Sequence, residues 1–169
     1  MPGIKNKEKG HMDNVNRLRV GHIAPRIVLD NSEGEKIDSW SFVGKSKVVI
    51  VFFKGKNNGP GSGWLEELNK SSGKIDLSSG IILAISVDQP RVTRKLKQKL
   101  QLRFSLLYDK RSEAISAYGV LDSSSEKGEP HPATFIVDRI GIIRYRKVYS
   151  DYEYEPAAGE IISLLEEVT

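Results

Sequence analysis

Two runs of this chain leave little freedom in how it folds. Residues 47–53 (Lys-Val-Val-Ile-Val-Phe-Phe) and 81–87 (Ile-Ile-Leu-Ala-Ile-Ser-Val) are almost wholly apolar and rich in β-branched side chains. A strand with one wet face alternates polar and apolar residues. A strand without alternation is buried on both faces, in the middle of a sheet that has a covering layer on each side. Each run leads into a segment of helical period. Trp64, Leu65 and Leu68 share one face of a helix expected over 63–69, and Val92, Leu96 and Leu100 share one face of a helix opened by Asp88-Gln89-Pro90 and running to about Leu102.

The remaining punctuation places short strands at 26–29 and 36–38 around a Gly34 turn, a strand at 104–107, and a helix over 112–118 stopped by Gly119. After a polar loop over 122–131, strands at 134–137 and 142–148 flank a turn at 139–141, and Pro156 opens a last helix with Ile161, Ile162, Leu164 and Leu165 turned inward. Strands alternating with helices imply right-handed crossovers and a sheet covered on both faces. The closing strand pair makes that sheet mixed, because a hairpin is antiparallel.

Charge and composition narrow the function classes. The net charge is +4, but residues 1–20 hold five basic groups against two acidic ones, so the body carries 21 bases against 20 acids. A nucleic-acid binder needs its cations concentrated against phosphates, and a near-neutral body argues against one. Residues 1–19 read as a disordered basic tail, within which Gly10-His11-Met12 has the form of a cloning remnant, and residues 20–169 as one domain. No run approaches the length of a membrane helix and no secretory signal opens the chain, so a cytoplasmic protein without membrane contact is expected. There is no cysteine among the 169 residues, which excludes disulfides, thiolate metal sites and thiol nucleophiles. His11, His22 and His131 have no neighbouring ligand at metal spacing, so no metal and no cofactor is expected.

Several local sequences then carry a resemblance. They are Val20-Gly21 with Ala24-Pro25, the strand 49–55, Phe104-Ser105-Leu106-Leu107-Tyr108-Asp109, Ala117-Tyr118-Gly119-Val120, and 132–138 followed by 141–145. In this order and spacing they resemble the alkyl hydroperoxide reductase/thiol-specific antioxidant family over about residues 20–167. The resemblance implies an α/β thioredoxin-like fold: a central mixed β-sheet flanked by helices, with an N-terminal β-hairpin as in peroxiredoxins. It also implies descent from antioxidant thiol oxidoreductases.

The family's active-site loop is where the chain departs. Counted without gaps from Phe52, the two cysteines of a Trp-Cys-Pro-x-Cys loop fall on Asn58 and Gly61, with Gly59 where proline is expected. With one residue inserted, Gly59-Pro60-Gly61-Ser62 is similar to the peroxidatic motif and Ser62 takes the place of sulfur. The arginine expected beside a peroxidatic thiol is not found at His131 or Pro132. Pro132 matches the proline that thioredoxin-like proteins hold in cis opposite the active-site loop, which implies a cis bond here and a backbone edge for an extended peptide. The candidate binding residues are therefore Asn57, Asn58, Gly59, Pro60, Gly61, Ser62, His131 and Pro132, with Ser62 expected as a helix N-cap and no catalytic residue among them.

Three readings follow. In the first, the chain is a non-catalytic binding or regulatory module for a protein or peptide partner. In the second, it is a thiol peroxidase or thiol-disulfide oxidoreductase whose natural sequence holds a cysteine at 58, 61 or 62. The third uses six cations, Arg91, Arg94, Lys95, Lys97, Lys99 and Arg103, with no acid from residue 89 to 108, to bind nucleic acid or an acidic partner. A solvated helix face is the commoner meaning of such a run. Residues 150–169 hold six acids and no base, so opposite blocks also leave a homodimer open. Tyr149, Tyr152 and Tyr154 are read either as a contact surface or as packing beneath the last helix.

Overall fold

A computed structural model describes residues 18–55, 61–149 and 158–168. Seven strands form one mixed sheet: β1 (Val28–Asn31), β2 (Lys36–Asp38), β3 (Lys47–Phe52), β4 (Gly80–Ser86), β5 (Ser105–Tyr108), β6 (Ala133–Val137) and β7 (Ile143–Val148). Their order across the sheet is β2-β1-β5-β4-β3-β6-β7. The helices are α1 (Gly61–Lys70), α2 (Ser72–Leu77), α3 (Pro90–Leu100), α4 (Glu113–Ala117) and α5 (Ala158–Glu167), with a 3-10 turn at Ser39–Phe42.

The two apolar runs are adjacent at the centre, β3 parallel to β4 with Lys47 opposite Gly80 and Phe52 opposite Ile85. On the other side of β3 lies β6, antiparallel, with Val51 opposite Thr134 and Phe52 opposite Ala133. All six residues of β3 are buried because alternate side chains enter two separate cores. Val49, Val51 and Phe53 join Trp64, Leu65, Leu68, Ile75, Leu96, Ile161 and Leu165, so α1, α2, α3 and α5 cover this first face. Val48, Ile50 and Phe52 join Phe135, Ile115, Tyr118 and Ile27, so the second face is covered by α4 and the segment before β1. The β6–β7 turn closes as expected: Asp138 Oδ1 accepts from the N–H groups of Ile140 and Ile142, and Gly141 takes the positive φ of +85° that the turn requires.

Four expectations need correction. The first strand is Val28–Asn31 rather than 26–29, because Ile27 N–H is taken by Ser39 Oγ and pairing with β2 starts at Val28–Asp38. The helix after β3 opens at Gly61, not Gly63, so Ser62 lies in its first turn rather than at the cap. Helix α2 was not foreseen. Ser71-Ser72-Gly73 reads as a break, yet the chain re-enters a helix after the single residue Ser71 and buries Ile75 at 1% exposure. On α3 the buried positions are Thr93 and Leu96, with Val92 only half-buried. Thr93 tolerates burial because its hydroxyl lies 3.3 Å from the Pro90 carbonyl, to which it donates.

Two of the six cations of the basic run are tied down within the chain. Arg94 Nε donates to Ser32 O at 3.0 Å, and Lys97 lies 3.3 Å from Glu33. Among the described residues no helix is long and apolar enough to cross a membrane.

Candidate functional site

The carboxyl ends of β3 and β4 and the start of β6 meet along one edge of the sheet, the usual place for ligands in open α/β sheets. Of the sequence-derived site residues, Asn57, Asn58, Gly59 and Pro60 lie outside the described residues, and Gly61 and Ser62 open α1. His131 and Pro132 lead into β6 across from Phe52. The two parts are joined by one packed pair. Trp64, in the first turn of α1, meets Tyr149 edge-on at 6.4 Å, and Tyr149 N–H donates to Pro132 O at 2.8 Å. Tyr149 is thus buried packing, at 1% exposure, and not part of an exposed contact surface; Tyr152 and Tyr154 lie outside the described residues.

The bond between His131 and Pro132 is trans, and no peptide bond among the described residues is cis. The implied cis geometry is therefore overturned. Trans is the favoured isomer of an X-Pro bond. Here the extended chain is held on both sides, with His131 N–H donating to Val120 O at 2.7 Å and Pro132 O accepting from Tyr149. The same bond occupies the His131 N–H that an extended peptide would have used for pairing.

Among the described residues, several polar side chains gather along this edge. Lys54, just beyond β3, donates from Nζ to Asp122 Oδ2 at 2.6 Å. Asp122 Oδ1 accepts from Ser124 Oγ at 2.6 Å and from Ser124 N–H at 3.0 Å, and His131 Nε2 stands 4.0 Å from it. The hydrogen bond from Lys54, then those from Ser124, hold the Asp122 carboxyl well below the usual carboxylate range, outweighing desolvation. Asp88, beyond β4, lies against Gly55 so closely that any Cβ at residue 55 would collide with its carboxylate. Under α1, Thr134, Tyr145 and Tyr149 gather three hydroxyls in the first core, and burial pushes the Tyr149 phenol far above its ordinary 10.0.

Sequence reasoning missed Lys54, Asp88 and Asp122. The pairing of Lys54 with Asp122 spans 68 residues, and nothing local marks Asp122 beyond its place in a polar loop. Gly55 offered the one usable signal, a glycine at the end of a buried strand where close approach excludes a side chain. Among the described residues no three His, Asp or Glu side chains are grouped to hold a metal ion.

This edge, with its helix start facing a proline segment, is joined to a family pattern by direct comparison: residues 20–146 match the AhpC/TSA family. The chain belongs to that family. It is 27% identical over 165 residues to peroxiredoxin Bcp of Escherichia coli, a match covering 90% of this chain and 99% of that protein. It is 25% identical over 162 residues to the thiol-disulfide oxidoreductase ResA of Bacillus cereus, covering 95% and 85% respectively. The crystal structure of peroxidoxin BcpB from Mycobacterium tuberculosis matches the fold with a TM-score of 0.79 at 17% identity, over 90% of this chain and 99% of that one. This AhpC/TSA member thus has the mixed thioredoxin-like sheet of its family and no sulfur nucleophile.

Proposed function

We propose that this AhpC/TSA-family chain is a non-catalytic module that holds a protein or peptide partner at the edge bounded by the start of α1, the Lys54–Asp122 pair and His131-Pro132. One observation carries the reading: the chain contains no cysteine. Peroxide reduction needs a thiolate that attacks one oxygen, breaks the O–O bond and becomes a sulfenic acid, and disulfide exchange needs a thiolate to form the mixed disulfide. A serine hydroxyl at residue 62 ionises far too high for the first and forms no sulfur–sulfur bond for the second.

The side-chain geometry favours recognition through charged groups. The His131 N–H and Pro132 carbonyl are spent within the chain, so strand addition has little to pair with here. Asp88, Lys54 and Asp122 supply both signs of charge along the same edge, with the His131 imidazole 4.0 Å from Asp122.

Two measurements test this. Purified, metal-free protein should consume hydrogen peroxide and reduce insulin disulfides no faster than buffer; turnover above background overturns the non-catalytic reading. In partner capture, Gly61→Phe and His131→Ala should weaken binding, whereas Lys95→Glu with Lys99→Glu should leave it unchanged. Loss confined to the charge-reversed variant would move the binding surface to α3.

A further inference from the structure

The second face of the sheet is unevenly covered. Helix α4 has only five residues and packs Ala114 and Ile115 over one part of this core. The start of β3 and the end of β6 are roofed instead by the 3-10 turn and the segment before β1, and beneath that roof lies a cavity of about 470 Å3. It sits at the opposite end of β3 from Lys54, so it is separate from the edge described above. Its floor is Val48, Ile50, Val137 and Tyr118, each at most 6% exposed. Its rim is Ile23, Trp40, Val43 and Ile140, exposed at 71%, 54%, 47% and 72%. A cluster of large apolar side chains in water around an apolar hollow costs solvation unless something occupies it.

The polar groups around this cavity define what it accepts. Tyr118 donates its hydroxyl to Pro25 O at 2.8 Å, and Ser39 Oγ accepts from Ile27 N–H at 2.8 Å. The Asp138 carboxylate is taken by Ile140 N–H, Ile142 N–H and Arg144 Nε. At the rim, Arg26 is paired with Asp38 and stacked 4.8 Å above the Trp40 ring. The carboxylate and guanidinium groups at the wall and rim are therefore paired, and the Ser39 and Ser46 hydroxyls are the neutral polar handles in the lining. The stacked guanidinium and the Trp40 N–H bond to Asp38 hold the Trp40 side of the rim in place before any ligand arrives, which lowers the ordering cost of binding.

We infer that this cavity is a binding site for a small, neutral, mostly hydrocarbon molecule with one hydrogen-bonding end, of the class of a medium-chain alcohol or an aromatic ketone. The volume falls within the range of small-ligand pockets, and a mainly apolar lining with few polar groups is their usual character. A charged ligand is disfavoured because each carboxylate and guanidinium at the wall and rim already has its partner.

The test is titration of the full chain with Nile red, competed by 1-decanol, with Trp40 emission followed in Trp64→Phe, where it is the sole tryptophan. Expected are one saturable site, a blue shift of the dye, a change in Trp40 emission, and displacement by decanol. Ser46→Phe, which adds a ring to the lining, should weaken dye binding by about tenfold or more. Ile140→Asp, at an exposed rim position that folding does not depend on, should weaken it as well. Absence of dye binding, or binding unchanged in both variants, overturns the assignment. A dimer that Ile140→Asp splits would give the surface to a second copy of the chain. Dye affinity that rises about tenfold on deleting residues 1–17 would give it to the chain's own N-terminal segment. Either result also overturns the proposal, and neither bears on the edge at Lys54 and Asp122.

Discussion

Asp109 joins β5 to α4, and removing its carboxylate should cost more than an ordinary helix cap. The side chain is 1% exposed, with Oδ1 accepting from Glu113 N–H at 3.0 Å and Oδ2 from Ile115 N–H at 2.9 Å. Asp109→Ala orphans both donors. Ile115 N–H is buried and cannot regain water, which costs about 1–3 kcal/mol. Glu113 N–H is only partly buried, and its loss is that of a normal cap, about 1 kcal/mol. The sum, about 2–4 kcal/mol, corresponds to a fall of roughly 4–16 °C in Tm for a domain of this size. Asp109→Asn keeps one acceptor and should lose about half as much. Urea melts of the three proteins at pH 7 check the order. Asp109→Ala within about 0.5 kcal/mol of the parent, or no better than equal to Asp109→Asn in stability loss, would refute the reasoning.

The pH dependence of the same residue has a definite sign. Desolvation raises the Asp109 pKa above its ordinary 3.8, against the lowering by its backbone bonds. The folded chain then keeps a proton at pH values where the unfolded chain has lost it. Its contribution is fullest below 3.8 and declines as pH rises through the raised value. The stability gap between the parent and Asp109→Asn should narrow accordingly from acid toward neutral pH.

Asp122 should behave oppositely: its pKa is lowered, so its contribution is present above 3.8 and lost as pH falls below it, and Asp122→Asn should flatten the acid limb of a stability–pH curve. Gly55→Ala should push the Asp88 carboxylate aside and destabilise only modestly in urea melts, and Asp88→Gly should relieve much of that cost. Ser62→Cys should yield a thiol that alkylates faster at neutral pH than a free cysteine of pKa about 8.5, since it lies in the first turn of α1 near the positive end of the helix dipole. Deletion of residues 1–17, which carry little apolar surface, should leave Tm within about 3 °C in a thermal melt.

What could be read from the sequence was what each segment decides by itself. β3 and β4 were legible because unbroken apolar runs admit few solutions, and the β6–β7 hairpin because Asp138 and Gly141 are turn chemistry. Helix α2 was hidden by Ser71-Ser72-Gly73, residues that favour a break on propensity; burial of Ile75 against the first core overrides that preference. The trans bond at Pro132 and the Lys54–Asp122 pair depend on partners at residues 120, 149 and 54, which no local window contains. The apolar cavity was hidden for a different reason, since it arises from how far the short helix α4 reaches across the second face.

The fold's independence of the missing sulfur follows from where its stability resides. The apolar side chains that join the layers come from β3, β4, β6 and the helices. Trp64, Leu65 and Leu68 anchor α1 from its inner face whatever residue stands at 61 or 62. Truncation of Phe52 or Phe135, by contrast, would leave a void among rings 5.0–5.8 Å apart. The physical consequence is an edge of the sheet whose two ends are held by Lys54–Asp122 on one side and Trp64–Tyr149 on the other.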